Sequence, residues 1–88
     1  MEIIERKVSR NTNDYHVTWF VKSGFRHFII DWNSCPFDTG KPEAMAFLAS
    51  QKAKVTKWNE LAVSYKTSPE DAIKECIHKL RIKGFIYE

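Results

Sequence analysis

Tyr15-His16-Val17-Thr18-Trp19-Phe20-Val21-Lys22-Ser23-Gly24-Phe25-Arg26-His27-Phe28-Ile29-Ile30-Asp31-Trp32 is the stretch on which the fold turns. Ser23-Gly24 is a turn dipeptide flanked on both sides by β-branched and aromatic residues, the signature of a β-hairpin. It predicts strands over about Tyr15 to Lys22 and Phe25 to Trp32. With Ser23-Gly24 as a two-residue loop, Lys22 faces Phe25, Trp19 faces Phe28, Val17 faces Ile30 and Tyr15 faces Trp32. One face then carries Tyr15, Val17, Trp19, Val21, Phe28, Ile30 and Trp32, broken only by Arg26 near the turn. The other carries His16, Thr18, Phe20, Lys22, Phe25, His27, Ile29 and Asp31. The first is the core face, because a one-residue slip would bury His27 and Asp31 without partners, at a cost of several kcal/mol.

Working outward, Glu2 to Val8 places Ile3, Ile4 and Val8 among Glu5, Arg6 and Lys7, as in an edge strand defended by charge. Asn33 to Lys41, with Pro36, Asp38 and Gly40, reads as a loop. Pro42-Glu43 suits the first turn of a helix running to about Lys52 and burying Met45, Leu48 and Ala49. Val55 to Tyr65 fits a helix through Val55, Trp58, Leu61, Ala62 and Tyr65, while Leu61, Val63 and Tyr65 also alternate like a short strand; the helix is the reading adopted. Ser68-Pro69-Glu70-Asp71 supplies an N-cap, a proline at the first helical position and acids in the first turn. Ile73, Cys76, Ile77 and Leu80 follow at helical spacing, and Gly84-Phe85 fits a Schellman stop. The expectation is an α+β fold, a three-stranded antiparallel sheet followed by two or three helices packed on one face.

The chain has 88 residues, of which 43% are hydrophobic and 14% aromatic, enough for one core and too few residues for two, so 1–88 is expected to be a single compact domain. Its apolar runs fall far short of the roughly 20 residues that cross a bilayer, and Met1-Glu2-Ile3-Ile4-Glu5 lacks the form of a signal peptide, which predicts a cytoplasmic protein with no membrane partner. Cys35 and Cys76, the two cysteines, read as free thiols.

Chemistry finds little support. His16, His27 and His78 have no metal-ligand spacing, and the predicted register separates His16 from His27 by about 13 Å along the strand, so neither metal nor cofactor is expected. Gly24, Gly40 and Gly84 are too scattered for a phosphate loop. Cys35 has no evident base, and Cys76 lies in the apolar stripe of its helix. His16 opposite Asp31 reads as a surface ion pair; as a base and its orienting acid, the pair would serve a small hydrolase or nuclease, the least favoured function. The protein is expected not to be an enzyme.

Two surfaces remain. On the hairpin's outer face Phe20, Phe25 and Ile29 mingle with Lys22, His16, His27 and Thr18, where rings could stack on bases while cations meet phosphates, or where a helix could simply cover the face. The second is basic: Lys52, Lys54 and Lys57 in a stretch without acids, Lys74, His78 and Arg81 on one side of the last helix as phosphate contacts, and Arg6, Lys7 and Arg10 at the start.

A three-stranded sheet followed by a helix, over about Ile3 to Lys52, resembles small DNA readers such as AP2-type and phage-integrase arm-binding domains. That resemblance implies that Thr18, Phe20, Lys22, Phe25 and His27 enter a major groove. The Trp-rich hairpin and Thr67-Ser68-Pro69-Glu70-Asp71-Ala72-Ile73 make the chain similar to small phage or prophage accessory proteins, including inhibitors of host defence. What this implies is a non-enzymatic protein that binds and inhibits or modulates a host protein or protein–nucleic-acid complex. Phe20, Lys22, Phe25 and His27 would make the contacts, and Lys52, Lys54 and Lys57 would steer them. The alternative is a direct DNA- or RNA-binding module using the same residues. The Glu2 to Val8 edge is open to pairing across a two-fold axis, giving a homodimer.

Overall fold

The computed structural model describes residues 1–10, 15–35, 40–50 and 60–86. Strands β1 (Glu2–Arg10), β2 (Tyr15–Ser23), β3 (Arg26–Asn33), β4 (Glu43–Leu48) and β5 (Ala62–Ser64) precede helix α1 (Pro69–Ile82). The strands form one antiparallel sheet in the order β1-β2-β3-β4-β5, each beside its neighbour in sequence. Helix α1 crosses one face of it, over β5, β4 and β3.

The α+β class holds, but the architecture differs from the one expected: five strands and, among the described residues, one helix replace three strands and two or three helices. The expected helix from Pro42 to Lys52 is β4 over its described core. Met45, Leu48 and Ala49 have helical spacing, yet Glu43 to Leu48 also alternates in size. Ala44 and Ala46 are fully buried and pair with Trp32 and Ile30, while Met45 and Phe47 pair with Asp31 and Ile29 on the other face. The backbone of β3 decides between the two patterns, because a helix here would leave its outer row of amides and carbonyls unpaired in the interior. The same change removes the helix on which the likeness to sheet-based DNA readers depended.

Of the expected helix between Val55 and Tyr65, residues 55–59 lie outside the described residues, and Ala62–Ser64 is β5. The alternation there runs opposite to that of the large side chains. Ala62 and Ser64 are buried, Val63 is half-buried and Tyr65 is exposed.

The hairpin keeps its predicted faces with a different register. Ser23 pairs with Arg26, Lys22 with His27, Val21 with Phe28 and Trp19 with Ile30, so the loop is Gly24-Phe25. Gly24 has φ +61, and no other residue type among the described residues has positive φ. A two-residue hairpin loop needs positive φ at its first position, which Ser23 takes only with strain and Gly24 takes freely. Sliding the pairing by two residues preserves which side chains point inward, so Val17, Trp19, Val21, Phe28, Ile30 and Trp32 remain the core face.

Helix α1 closes that face with Ala72, Ile73, Cys76, Ile77 and Leu80. The alanines at 44, 46, 62 and 72 leave room for helix and sheet to approach closely. Phe28, Ile30 and Leu80 fill the centre at 1% exposure or less, each worth about 2–3 kcal/mol of apolar burial. The helix starts and stops as its sequence predicts. Ser68 Oγ accepts from the Asp71 amide, while Gly84 N donates to Arg81 O and Phe85 N to Leu80 O, the paired bonds of a Schellman ending. Phe85 then meets Phe28 edge-on with ring centroids 6.4 Å apart. Across the core, the Trp32 indole donates to Lys66 O at 3.0 Å and its ring meets Tyr15 edge-on.

The two sheet edges differ. Strand β5 is three residues long and its edge is covered from α1 and its C-cap: the Lys79 amine donates to Val63 O at 2.6 Å, and the amine of Lys83, the C-cap, donates to O of Leu61 just before the strand. Strand β1, predicted as Glu2 to Val8, continues to Arg10 and is exposed at all nine positions.

Candidate functional site

Gly24-Phe25 places the hairpin tip at one end of the sheet. Phe25 packs on nothing there and is as exposed as a free side chain, at 105%. The tip is nonetheless fixed. The Arg26 guanidinium lies 5.6 Å from the Phe85 ring centroid and donates to the carbonyls of Gly84 and Phe85 at 3.3 and 3.4 Å. A cation at a helix C-terminus also meets the negative end of the helix dipole. The hairpin therefore carries its exposed phenyl ring on a support anchored to α1.

Lys22 and His27 are cross-strand partners one step below the loop, both exposed, on the face away from α1. Phe20 is a row farther down, half-buried opposite Ile29, with the Lys7 amine 5.5 Å above its ring. Ile29 and Phe47, cross-strand partners on the same face, are buried at 3% and 4%. The outer face is thus partly core, and the apolar group it presents most fully to a partner is Phe25 at its rim.

Among the described residues the predicted basic strip is not assembled. Lys74, His78 and Arg81 are exposed on α1, on the opposite side of the sheet from Lys22 and His27. Lys52, Lys54 and Lys57 lie outside the described residues. The cations of β1 are engaged within the molecule. Arg6 sits 3.1 Å from Glu70 and 5.9 Å from the Trp19 ring centroid, Lys7 is 3.7 Å from Glu5, and Arg10 stacks 4.7 Å from the Tyr15 ring centroid. Acids occupy the face away from α1 as well, since Glu2 pairs with Lys22, Glu5 with Phe20, and Asp31 with Thr18.

The expected partnership of His16 with Asp31 is also redrawn. The two-residue shift puts His16 opposite Asn33, and the Thr18 hydroxyl donates to Asp31 at 3.0 Å. Cys35 is exposed, and its amide donates to Asn33 Oδ1. Cys76 is buried, and that burial pushes its thiol up to about 12, the Lys79 amine opposing the shift and Glu75 adding to it. It is held as a neutral thiol, the unreactive form. Among the described residues, no group of three or more histidines, cysteines or carboxylates could hold a metal ion.

No protein-family model, curated protein or solved structure matches this chain. Its own geometry is therefore the basis for a function. Two features of that geometry were missed by sequence reasoning. The Arg26–Phe85 clamp joins residues far apart in the chain and leaves no local pattern. Glu75 forms a small polar cluster beside β5: its carboxyl is held below the usual range first by a hydrogen bond from Ser64, against some desolvation, and then by Lys79 and Lys66. That cluster braces α1 against β5.

Proposed function

We propose that this chain is a non-enzymatic binding protein that meets a protein partner with its hairpin tip, Phe25 entering an apolar pocket and Lys22 and His27 setting the polar rim. The observation that carries the reading is the full exposure of Phe25 on a turn clamped to α1 by Arg26. A loop stays soluble without a phenyl ring, and a fixed aromatic group loses little conformational freedom when a partner buries it. Burial of that ring is worth about 2–3 kcal/mol. The partner class implied by the likeness to phage accessory proteins is a host macromolecular complex, which binding at the tip would occlude or modulate.

Direct nucleic-acid binding is less well supported, because Arg6, Lys7 and Arg10 already have partners on the chain and acids share the sheet face with Lys22 and His27. The decisive experiment has two arms. Anisotropy titrations with labelled single- and double-stranded DNA and RNA should stay flat at low salt; tight, salt-sensitive binding weakened by Lys22→Ala would reverse the assignment. A photo-reactive benzoylphenylalanine at position 25, irradiated in cells of the source organism, should give one dominant protein adduct that the same group at the exposed Tyr65 position does not. Equal labelling from both positions would reject the tip as the contact surface.

A further inference from the structure

The unequal treatment of the two sheet edges, together with the charge order along β1, points to a second copy of the same chain. Lys79 of α1 and the C-cap Lys83 occupy the carbonyls of Val63 in β5 and of Leu61 just before it, so that edge is closed to a further strand. Strand β1 has no such cover. Its outer edge has no pairing strand among the described residues, and Ile3, Ile4 and Val8 are exposed at 48%, 52% and 44%. Unpaired amides and carbonyls on a long edge are a template for another strand, and charged side chains on it decide which strands are accepted.

We infer that β1 pairs antiparallel with β1 of a second copy about a two-fold axis through Arg6, joining two five-stranded sheets into one continuous sheet. An axis at Arg6 places Glu5 opposite Lys7 of the second copy and Lys7 opposite its Glu5, within the regular stretch from Glu5 to Arg10 that follows the irregularity of β1 at Ile4. Glu5 and Lys7 lie on the same face, since their neighbours across β2 are Phe20 and Thr18, so their own contact at 3.7 Å can be exchanged for two opposite-charge pairs across the axis. Arg6 would meet its own copy, but Glu70 and the Trp19 ring hold its guanidinium back over its own subunit. Other centres do worse: an axis at Lys7 opposes Lys7 to itself, and one at Val8 opposes Arg6 to Arg10. The charges that discourage a foreign strand thus favour this one. The two tips carrying Phe25 would then point to opposite ends of the joined sheet, and the pairing stands whether or not the tip binds a partner.

Sedimentation velocity over a concentration series tests the pairing with a charge-swap set. Wild-type protein should pass from monomer to dimer. Glu5→Lys and Lys7→Glu should each weaken dimerisation about tenfold or more by opposing like charges twice. The double variant Glu5→Lys/Lys7→Glu should restore it, and an equimolar mixture of the two single variants should associate more tightly than either alone. The mixture also serves as a folding control, because only folded strands can pair. A protein that is monomeric at every concentration, or a dimer indifferent to all four combinations, overturns the assignment.

Discussion

Raising the pH should destabilise this protein through a single buried thiol. Cys76 is fully buried on the sheet-facing side of α1, and removal from water raises its thiol from an ordinary value of 9.0 to about 12. Above pH 9 the unfolded chain loses this proton while the folded chain keeps it, so unfolding releases a proton and is favoured by alkali. The contribution is fully present below pH 9 and disappears as pH climbs to 12. At about 1.4 kcal/mol per unit, the whole shift corresponds to about 4 kcal/mol, of which about 2 kcal/mol is lost by pH 10.5. The assay is urea unfolding followed by tryptophan fluorescence at pH 7.5 and 10.5, with reductant present, on wild type and Cys76→Ala. The variant starts less stable by about 1–2 kcal/mol because it leaves a small void under the helix. Every other group is common to both proteins and drops out of the comparison. Wild type should lose about 2 kcal/mol more than the variant between the two pH values. Equal losses, within about 0.5 kcal/mol, would refute the claim that burial holds the thiol neutral.

Two further outcomes test the packing and the helix start. Ala46→Leu adds bulk where β4 lies against α1 and should cost about 1–3 kcal/mol in urea unfolding, whereas Met45→Leu on the opposite face should cost less than about 1.5 kcal/mol. Ser68→Ala removes the side chain that accepts from the Asp71 amide and should lower stability by about 1 kcal/mol, which a shift in thermal midpoint without loss of sheet signal would verify.

How legible this was in the sequence depended on the range of the signal. Helix α1 could be read nearly to the residue, because Ser68, Pro69, Gly84 and Phe85 act within a turn of where they stand. The faces of β2 and β3 were legible too, since alternation of apolar residues survives any slide by an even number. The register was not, because Ser23-Gly24 and Gly24-Phe25 are both plausible turn dipeptides and only the demand for positive φ at the first loop position separates them. Strand β4 was hidden by a run short enough to fit both periods, its inward residues being small alanines whose purpose only α1 makes clear. The same preference for large side chains misjudged β5, where Ala62 and Ser64 are the buried positions. At the site, Phe25 was found as a residue beside a turn. The split of the cations between two sides of the sheet was invisible until α1 had a face to lie on.

The order of the elements along the chain has a consequence for folding. All five strands precede α1, so any state in which the meander has paired before the helix docks leaves Trp19, Phe28, Ile30, Trp32, Ala44 and Ala46 without their cover. Until residues 69–86 dock, the chain is a sheet with one oily side bare, a state prone to misassembly with its neighbours. The lysines that close β5 arrive with the same helix. A chain truncated just before Ser68 would therefore keep the sheet's apolar face and lose both its cover and the closure of its β5 edge.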